Sequence, residues 1–431
     1  MLQKIFLVLI NIFYLFFATS GMGIFLGNRF VLSIPIVSLI AMDIILIIMV
    51  ITGQSKFRAK PFFFAVLFMI WAIISTIIRY DISTFILTLF GLIMMWIPLT
   101  IRIPLPDKLT LSKFYCQGLI LSFVISYFEL FLSILFKQKF VDILPLIAHK
   151  SVGDLSEGLN ISIDRISSLM TEPSEYAVFL VFGYICLDYL DGQKAISRNK
   201  LILIKINIVF LLLLTFSVSG LILFFTYLVL SSPGFLLIKT NRKKIIFILF
   251  KKVLTLLTVI IVLFVAVKAI PELEIASASF IDRNISFIEM KDNDNLKSSE
   301  GSRSNSMNIA FDSLGRDYGF FGQGFGKNVS SWILENYPNT VYSMSGEGEI
   351  YNTYAAILIG VGIPGLLAFI VTIYQSFKTS KNVNFYQKIF FLLWLALGFF
   401  IGSLLYYSYW GIFYLVATEA SFYKKNIKSV L

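Results

Sequence analysis

Two cysteines, one histidine and 14% charged residues are all that a chain of 431 residues offers of those types. Each shortage removes a class of explanation. With 58% of the residues hydrophobic, there is too little charge to coat a water-soluble globule with a polar shell. Cys116 and Cys186 both fall in apolar stretches, so neither a disulfide framework nor a thiolate metal site is indicated, and packing is the expected role of both. His149 has no metal-ligand neighbours in the sequence and reads as a surface residue. The short alternating segments of a membrane β-barrel are missing too. Runs such as Ile40 to Ile51 and Leu254 to Val267 are apolar on every side, as helices in lipid must be.

What is present is apolar length. A window of about nineteen residues places spans near 6–26, 31–51, 62–78, 83–101, 115–136, 175–190, 201–216, 219–238, 246–268, 351–374, 388–403 and 406–422. The expected fold is all-α: one polytopic helical domain over residues 1–431, with about twelve transmembrane helices. The first span follows a single lysine and is long for the core of a signal peptide, so a retained helix is favoured, although Gly21, Met22 and Gly23 leave cleavage open.

Basic residues orient this bundle. Lys56, Arg58 and Lys60, then Arg102, Lys108 and Lys113, then Lys194, Arg198 and Lys200, then the cluster from Lys239 to Lys252, then Lys378, Lys381 and Lys388 fall in alternate connections. The short connections between them hold only Arg29 and Arg79. Lysine and arginine collect on the cytoplasmic side, so both termini are expected inside, with Lys4 at one end and Lys424, Lys425 and Lys428 at the other. The net charge of +11 is thereby a topology signal facing anionic lipid headgroups, and nucleic acid is not called for.

Two outer segments are long enough for chemistry: 137–174, and the large loop 270–350 before the tenth span. Within the large loop Lys291 to Ser306 reads as flexible, while Met307 to Leu314 and Val329 to Leu334 are predicted to be short helices. Its Asp292-Asn293-Asp294 has the Asp-x-Asp form of nucleotide-sugar enzymes, but lies in the polar stretch, and no metal or other cofactor is expected. Asp43 and Glu129 lie inside spans and are functional suspects by default because charge is costly in lipid. A proton path is one account of them, and carboxylates turned to the bundle interior are the favoured one.

Three constellations stand out. The first, Arg165-Ile166-Ser167-Ser168-Leu169-Met170-Thr171-Glu172-Pro173-Ser174-Glu175-Tyr176-Ala177, leads into the sixth span. Pro173 suits a helix start there, and Glu172 and Glu175 suit its positive end. The second is Arg303 followed by Gly319-Phe320-Phe321-Gly322-Gln323-Gly324-Phe325-Gly326, where glycine permits tight turns and close backbone approach to a ligand. The third is Tyr351-Asn352-Thr353-Tyr354 followed by Gly360-Val361-Gly362-Ile363-Pro364-Gly365, a polar helix start and then small residues for close packing.

Together with Thr215-Phe216-Ser217-Val218-Ser219-Gly220, these stretches resemble the O-antigen polymerase and ligase superfamily of bacterial surface-polysaccharide synthesis, and Arg165 through Ala177 looks like the Glu-Pro-Ser segment of Wzy-type polymerases. Val218 stands where that family often has a basic residue, and Tyr351 replaces the histidine of a His-Asn pair typical of the ligases, which weighs against the ligase reading. The resemblance implies a GT-C-like membrane fold in the bacterial inner membrane. Its implied substrates are oligosaccharide repeat units on a polyprenyl diphosphate, and it further implies a partner protein that sets chain length. Breaking a glycosidic bond to diphosphate builds negative charge, which arginine stabilises at any working pH. Arg165 and Arg303 are thus expected at the diphosphate, with Arg316 as a third contact, and Glu172, then Glu175, as base for the acceptor hydroxyl. Gly324, Tyr351 and Asn352 complete the expected binding set. The rivals are an O-antigen ligase and a transporter of lipid-linked oligosaccharide, the latter disfavoured by the lack of visible duplication between halves.

Overall fold

The computed structural model describes residues 1–20, 23–26, 30–78, 96–102, 108–136, 166–170, 173–231, 299–324, 327–337, 352–378, 385–399 and 411–415. The described chain is mostly helical: α1 (Leu2–Leu15), α2 (Ile34–Ile51), α3 (Ala59–Ile78), α4 (Lys108–Phe136), α5 (Pro173–Gly192), α6 (Arg198–Leu214), α7 (Val218–Leu230), α8 (Ser299–Leu314), α9 (Lys327–Asn336), α10 (Thr353–Lys378) and α11 (Phe385–Leu397). Among them α2, α3, most of α4 and α10 are long and apolar enough to cross a membrane.

Their surfaces agree with that. Leu67, Ile70, Ile74 and Ile77 form an exposed stripe along α3, and Leu367, Ile370 and Tyr374 do the same on α10, an arrangement suited to hydrocarbon. In contrast, α5 is enclosed on almost all sides, with Glu175 to Gly183 and Ile185 to Leu187 buried without interruption. It is the central helix, in contact with α4, α6 and α7. Cys116 and Cys186 are buried free thiols, as the sequence led one to expect.

Two elements depart from expectation. The first span was expected to run to residue 26, yet α1 ends at Leu15 and passes through a short 3-10 turn, Phe17–Thr19. Thr19 donates its hydroxyl to the Phe16 carbonyl at 2.7 Å, which favours a stop there, and glycine beyond gives little reason to continue. Gly23–Leu26 then pairs antiparallel with Phe30–Ser33, so a short two-stranded pairing lies between α1 and α2, the one sheet among the described residues. The large loop is the other departure. The stretch expected to be flexible is already helical from Ser299, and α8 continues to Leu314. Its Ile309 and Ala310 pack with Val329, Trp332 and Ile333 of α9 on Ala355, Leu358 and Ile359 of α10. The predicted short helices are therefore present, but seated on a span by a small core of their own.

Candidate functional site

The polar face of α4 organises one junction. Ser122, Ser126 and Glu129 recur at the spacing of one helix face, and all three are buried. Ser126 donates to the Tyr176 hydroxyl at 2.8 Å, which in turn donates to Ser122 at 3.3 Å, tying α4 to the first turn of α5. One turn further on, Glu129 accepts the backbone N–H of Ser168 at 2.8 Å and that of Ser167 at 3.3 Å, one on each carboxylate oxygen. A carboxylate is acceptor on both oxygens and so fits two successive donors.

The segment so held is the run immediately after Arg165. Ile166 to Met170 is buried throughout, with Ile166 N–H on the Leu214 carbonyl at 3.3 Å and Leu169 N–H on that of Ala18 at 3.2 Å. It turns through Ser168 at φ 57°, the left-handed region that a non-glycine residue adopts only at a cost. Beside it lies the second family-like stretch. Ser217 caps α7 by accepting from Gly220 N–H at 3.2 Å, and a Cβ on Gly220 would stand 2.3 Å from that of Ala177. The Thr215–Gly220 turn and the Pro-Ser-Glu-Tyr-Ala start of α5, 38 positions apart in sequence from Ala177 to Thr215, thus meet at this junction. Pro173 does open α5, with Glu175 buried in its first turn. Arg165 and Glu172 lie outside the described residues.

The described part of the glycine-rich stretch packs on α10. In α10, Gly362 has φ 65° and ψ −166°, and Pro364 follows. A proline at 364 removes the N–H that would have met the Gly360 carbonyl. Ser75 of α3 donates to that carbonyl at 2.6 Å and Gly324 N–H at 3.1 Å. Trp71 Nε1 donates to Val361 O at 2.8 Å, and Gln323 N–H to Ile359 O at 2.7 Å. Such carbonyls in a membrane span must find donors within the protein. Here the turn at Gln323 and Gly324 and α3 provide them, and Trp71 stacks on Phe321 with centroids 5.6 Å apart. Close backbone approach is the reason for the glycines, as expected, but the partner is α10. Gly324, expected to bind substrate, has its N–H engaged by Gly360 and also by Ser75 Oγ at 3.2 Å; its N–H serves the fold.

The other expected residues are also placed. Arg316 meets Asp312 through two nitrogens at 2.8 and 3.0 Å, donates to Asn336 Oδ1 at 2.6 Å, and lies over the Trp332 and Tyr337 rings. That makes it a clamp between α8 and α9, and its fork is already occupied. The Tyr337 hydroxyl, then Arg316, hold the Asp312 carboxyl below its ordinary value. Burial and the Asp312 contact push Tyr337 up to about 12. Arg303 lies within the first half of α8. Asn352 is buried and caps α10, accepting from Tyr354 and Ala355 N–H at 3.0 and 3.1 Å. Tyr351, His149, Asp292 and Asp294 lie outside the described residues. The junction around Glu129 belongs to the main bundle, whereas Arg316 belongs to the small α8–α10 core.

One polar cluster escaped the reading of the sequence. Asp188 on α5 is bonded by Lys205 of α6 and by the Tyr227 hydroxyl of α7, while its carbonyl accepts from Tyr386 of α11 at 3.1 Å. The signal was available: an acid and a base in adjacent apolar spans, each costly alone and inexpensive as a pair.

These features define a multi-pass helical membrane protein in which the helices α8 and α9 are packed onto a broken span. The segment that contains the Thr215–Gly220 turn, the large loop and the kink of α10 is the one a family comparison recognises. Residues 203–370 match the Wzy_C family model, described as O-antigen ligase. No curated protein matches the chain.

Proposed function

We propose that the protein is a membrane glycosyltransferase that joins oligosaccharide repeat units, carried on a polyprenyl diphosphate, into a surface polysaccharide at the outer face of the bacterial inner membrane. The observation that carries this reading is the junction at Ile166 to Met170, where the stretch following Arg165 is held against the Thr215–Gly220 turn of the family-matched segment. A buried anchor directly beside a lone arginine and a Glu-Pro-Ser helix start suits a site that must hold diphosphate charge in place. In this reading Arg165 and Arg303 bind the diphosphate, Glu172 or Glu175 takes the acceptor proton, and no cofactor takes part. The alternating basic connections support about twelve spans with both termini inside and a single domain with outer segments 137–174 and 270–350; the family resemblance alone implies a chain-length regulator as partner.

A second reading, transfer of finished polymer to a lipid core, is favoured by the description of the matched family as a ligase. Tyr351 in place of histidine weighs against it. Gel analysis of surface glycan separates the two in a strain lacking the gene, complemented with wild type, Arg165→Ala or Arg303→Ala. Core bearing one repeat unit, restored to a ladder by wild type alone, is the expected result. Bare core with long polymer still on its lipid carrier would establish the ligase instead, and a full ladder from both variants would remove the arginines from the site.

A further inference from the structure

We infer that Glu129 is a positioning residue of this site: from within the membrane, its carboxylate sets the backbone that carries Arg165 and Glu172. The inference rests on the proposed glycosyl transfer for its functional half and on geometry alone for the other. Glu129 is buried in α4, where a carboxylate is costly unless its acceptors are used. Both oxygens receive a backbone N–H, from Ser167 and from Ser168, and the Ser167 hydroxyl also lies 3.5 Å from Oε1. Neither donor belongs to a helix or strand, so each buried N–H must find a partner outside the regular ladders, and the Glu129 carboxylate serves both.

The shape of the turn adds a second argument. Ser168 sits at φ 57°, a conformation that persists only where the surroundings over-determine it, and its own N–H makes the shorter of the two contacts, 2.8 Å. Releasing Glu129 would let this residue relax toward ordinary backbone angles and rotate the chain on either side. Arg165 precedes the pinned segment by one residue and Glu172 follows it by two, so the segment that Glu129 holds is the one that joins them in sequence. A shift of about 1 Å in a positioned group costs on the order of a hundredfold in rate. Glu129 touches no substrate in this account; it acts through the backbone.

The test uses the full chain in detergent or native membranes, with Glu129→Gln and Glu129→Ala beside Arg165→Ala. Hydrogen exchange of the peptide covering 166–170 needs no substrate. It should speed at least tenfold in Glu129→Ala and less in Glu129→Gln, which keeps one acceptor; unchanged exchange in both would overturn the anchor. Elongation is then measured with lipid-linked oligosaccharide extracted from the deletion strain. Glu129→Gln should lose at least tenfold in kcat with KM changed less than threefold, at wild-type abundance. Adding Ser168→Gly, which makes the left-handed turn inexpensive, should restore at least threefold of that loss, a rescue that general weakening of the bundle would not show. Full turnover in Glu129→Gln alongside a dead Arg165→Ala would overturn the positioning role and leave the glycosyl-transfer reading intact. Full turnover in Arg165→Ala would sink that reading, and the exchange result would still decide the anchor.

Discussion

Replacing Gly362 with alanine should detach the outer loop from α10, and the size of the effect can be worked from the structure. The residue sits at φ 65°, ψ −166°, a region essentially confined to glycine, which costs another residue about 1–3 kcal/mol. An added Cβ would lie 2.0 Å from the Phe320 carbonyl oxygen and 2.9 Å from Gly322 N. Those are backbone atoms, so relief means moving the turn, with loss of the Gln323 and Gly324 hydrogen bonds to Ile359 and Gly360 at about 1 kcal/mol each. The sum is about 3–5 kcal/mol. Gly53→Ala is the control: it has φ 72° and nothing within 4 Å of the added Cβ, so it should cost only about 1–2 kcal/mol. Unfolding in detergent followed by circular dichroism, with exchange of the Gln323 and Gly324 amides as the local readout, distinguishes them. If Gly362→Ala unfolds together with Gly53→Ala and keeps those amides protected, the loop is not held by this contact.

Lys205→Met should destabilise the bundle by about 2–3 kcal/mol, on the low side of a buried pair because each side chain keeps about a fifth of its surface exposed. Adding Asp188→Asn should recover most of that loss, as measured by thermal midpoint; a double variant weaker than the single would refute the pairing argument. The Asp312–Arg316–Tyr337 cluster should respond to acid with a definite sign. Asp312 is held below its ordinary value, so its contribution is present above about pH 4 and lost as pH falls through the lowered folded value. Tryptophan emission from Trp332, which lies under Arg316, should report that loss in the wild type and no such step in Asp312→Asn. Asn352→Ala should cost about 1 kcal/mol through loss of the α10 cap, while Asn352→Asp should keep the cap and the thermal midpoint. Elongation lost in Asn352→Asp at unchanged stability would give the Asn352 amide a substrate contact as well.

Much of the helical plan was legible because it depends on local pattern. The expected spans at 31–51 and 62–78 correspond to Ile34–Ile51 and Ala59–Ile78, and Pro173 marks the start of α5 to the residue. Burial of the cysteines was equally plain from their apolar surroundings. What pattern cannot display is a partner distant in the chain. The glycines of Gly319 to Gly324 announce close approach, but only the fold reveals that the approached backbone is Gly360 to Gly362. Glu129 was visible as a costly carboxylate facing the bundle interior, yet its partners are main-chain groups, which any sequence supplies and none distinguishes. Asp188 and Lys205 went unread because a span that tolerates one charge looks ordinary until its neighbour's complement is noticed. The partner of Arg316 was closer to hand, since Asp312 lies one helical turn away, a spacing that the sequence displays.

The broken helix α10 also has a consequence for biogenesis. Its unpaired carbonyls are completed by Ser75 and Trp71 of α3 and by the turn at Gln323 and Gly324, all of which precede α10 in the chain. Synthesis therefore delivers every donor before the acceptors arrive, and the last part of the socket to be made finds its counterparts already synthesised. An order of elements that placed the turn after this span would leave bare carbonyls waiting in lipid, where each costs several kcal/mol, so the chain order itself guards the insertion step.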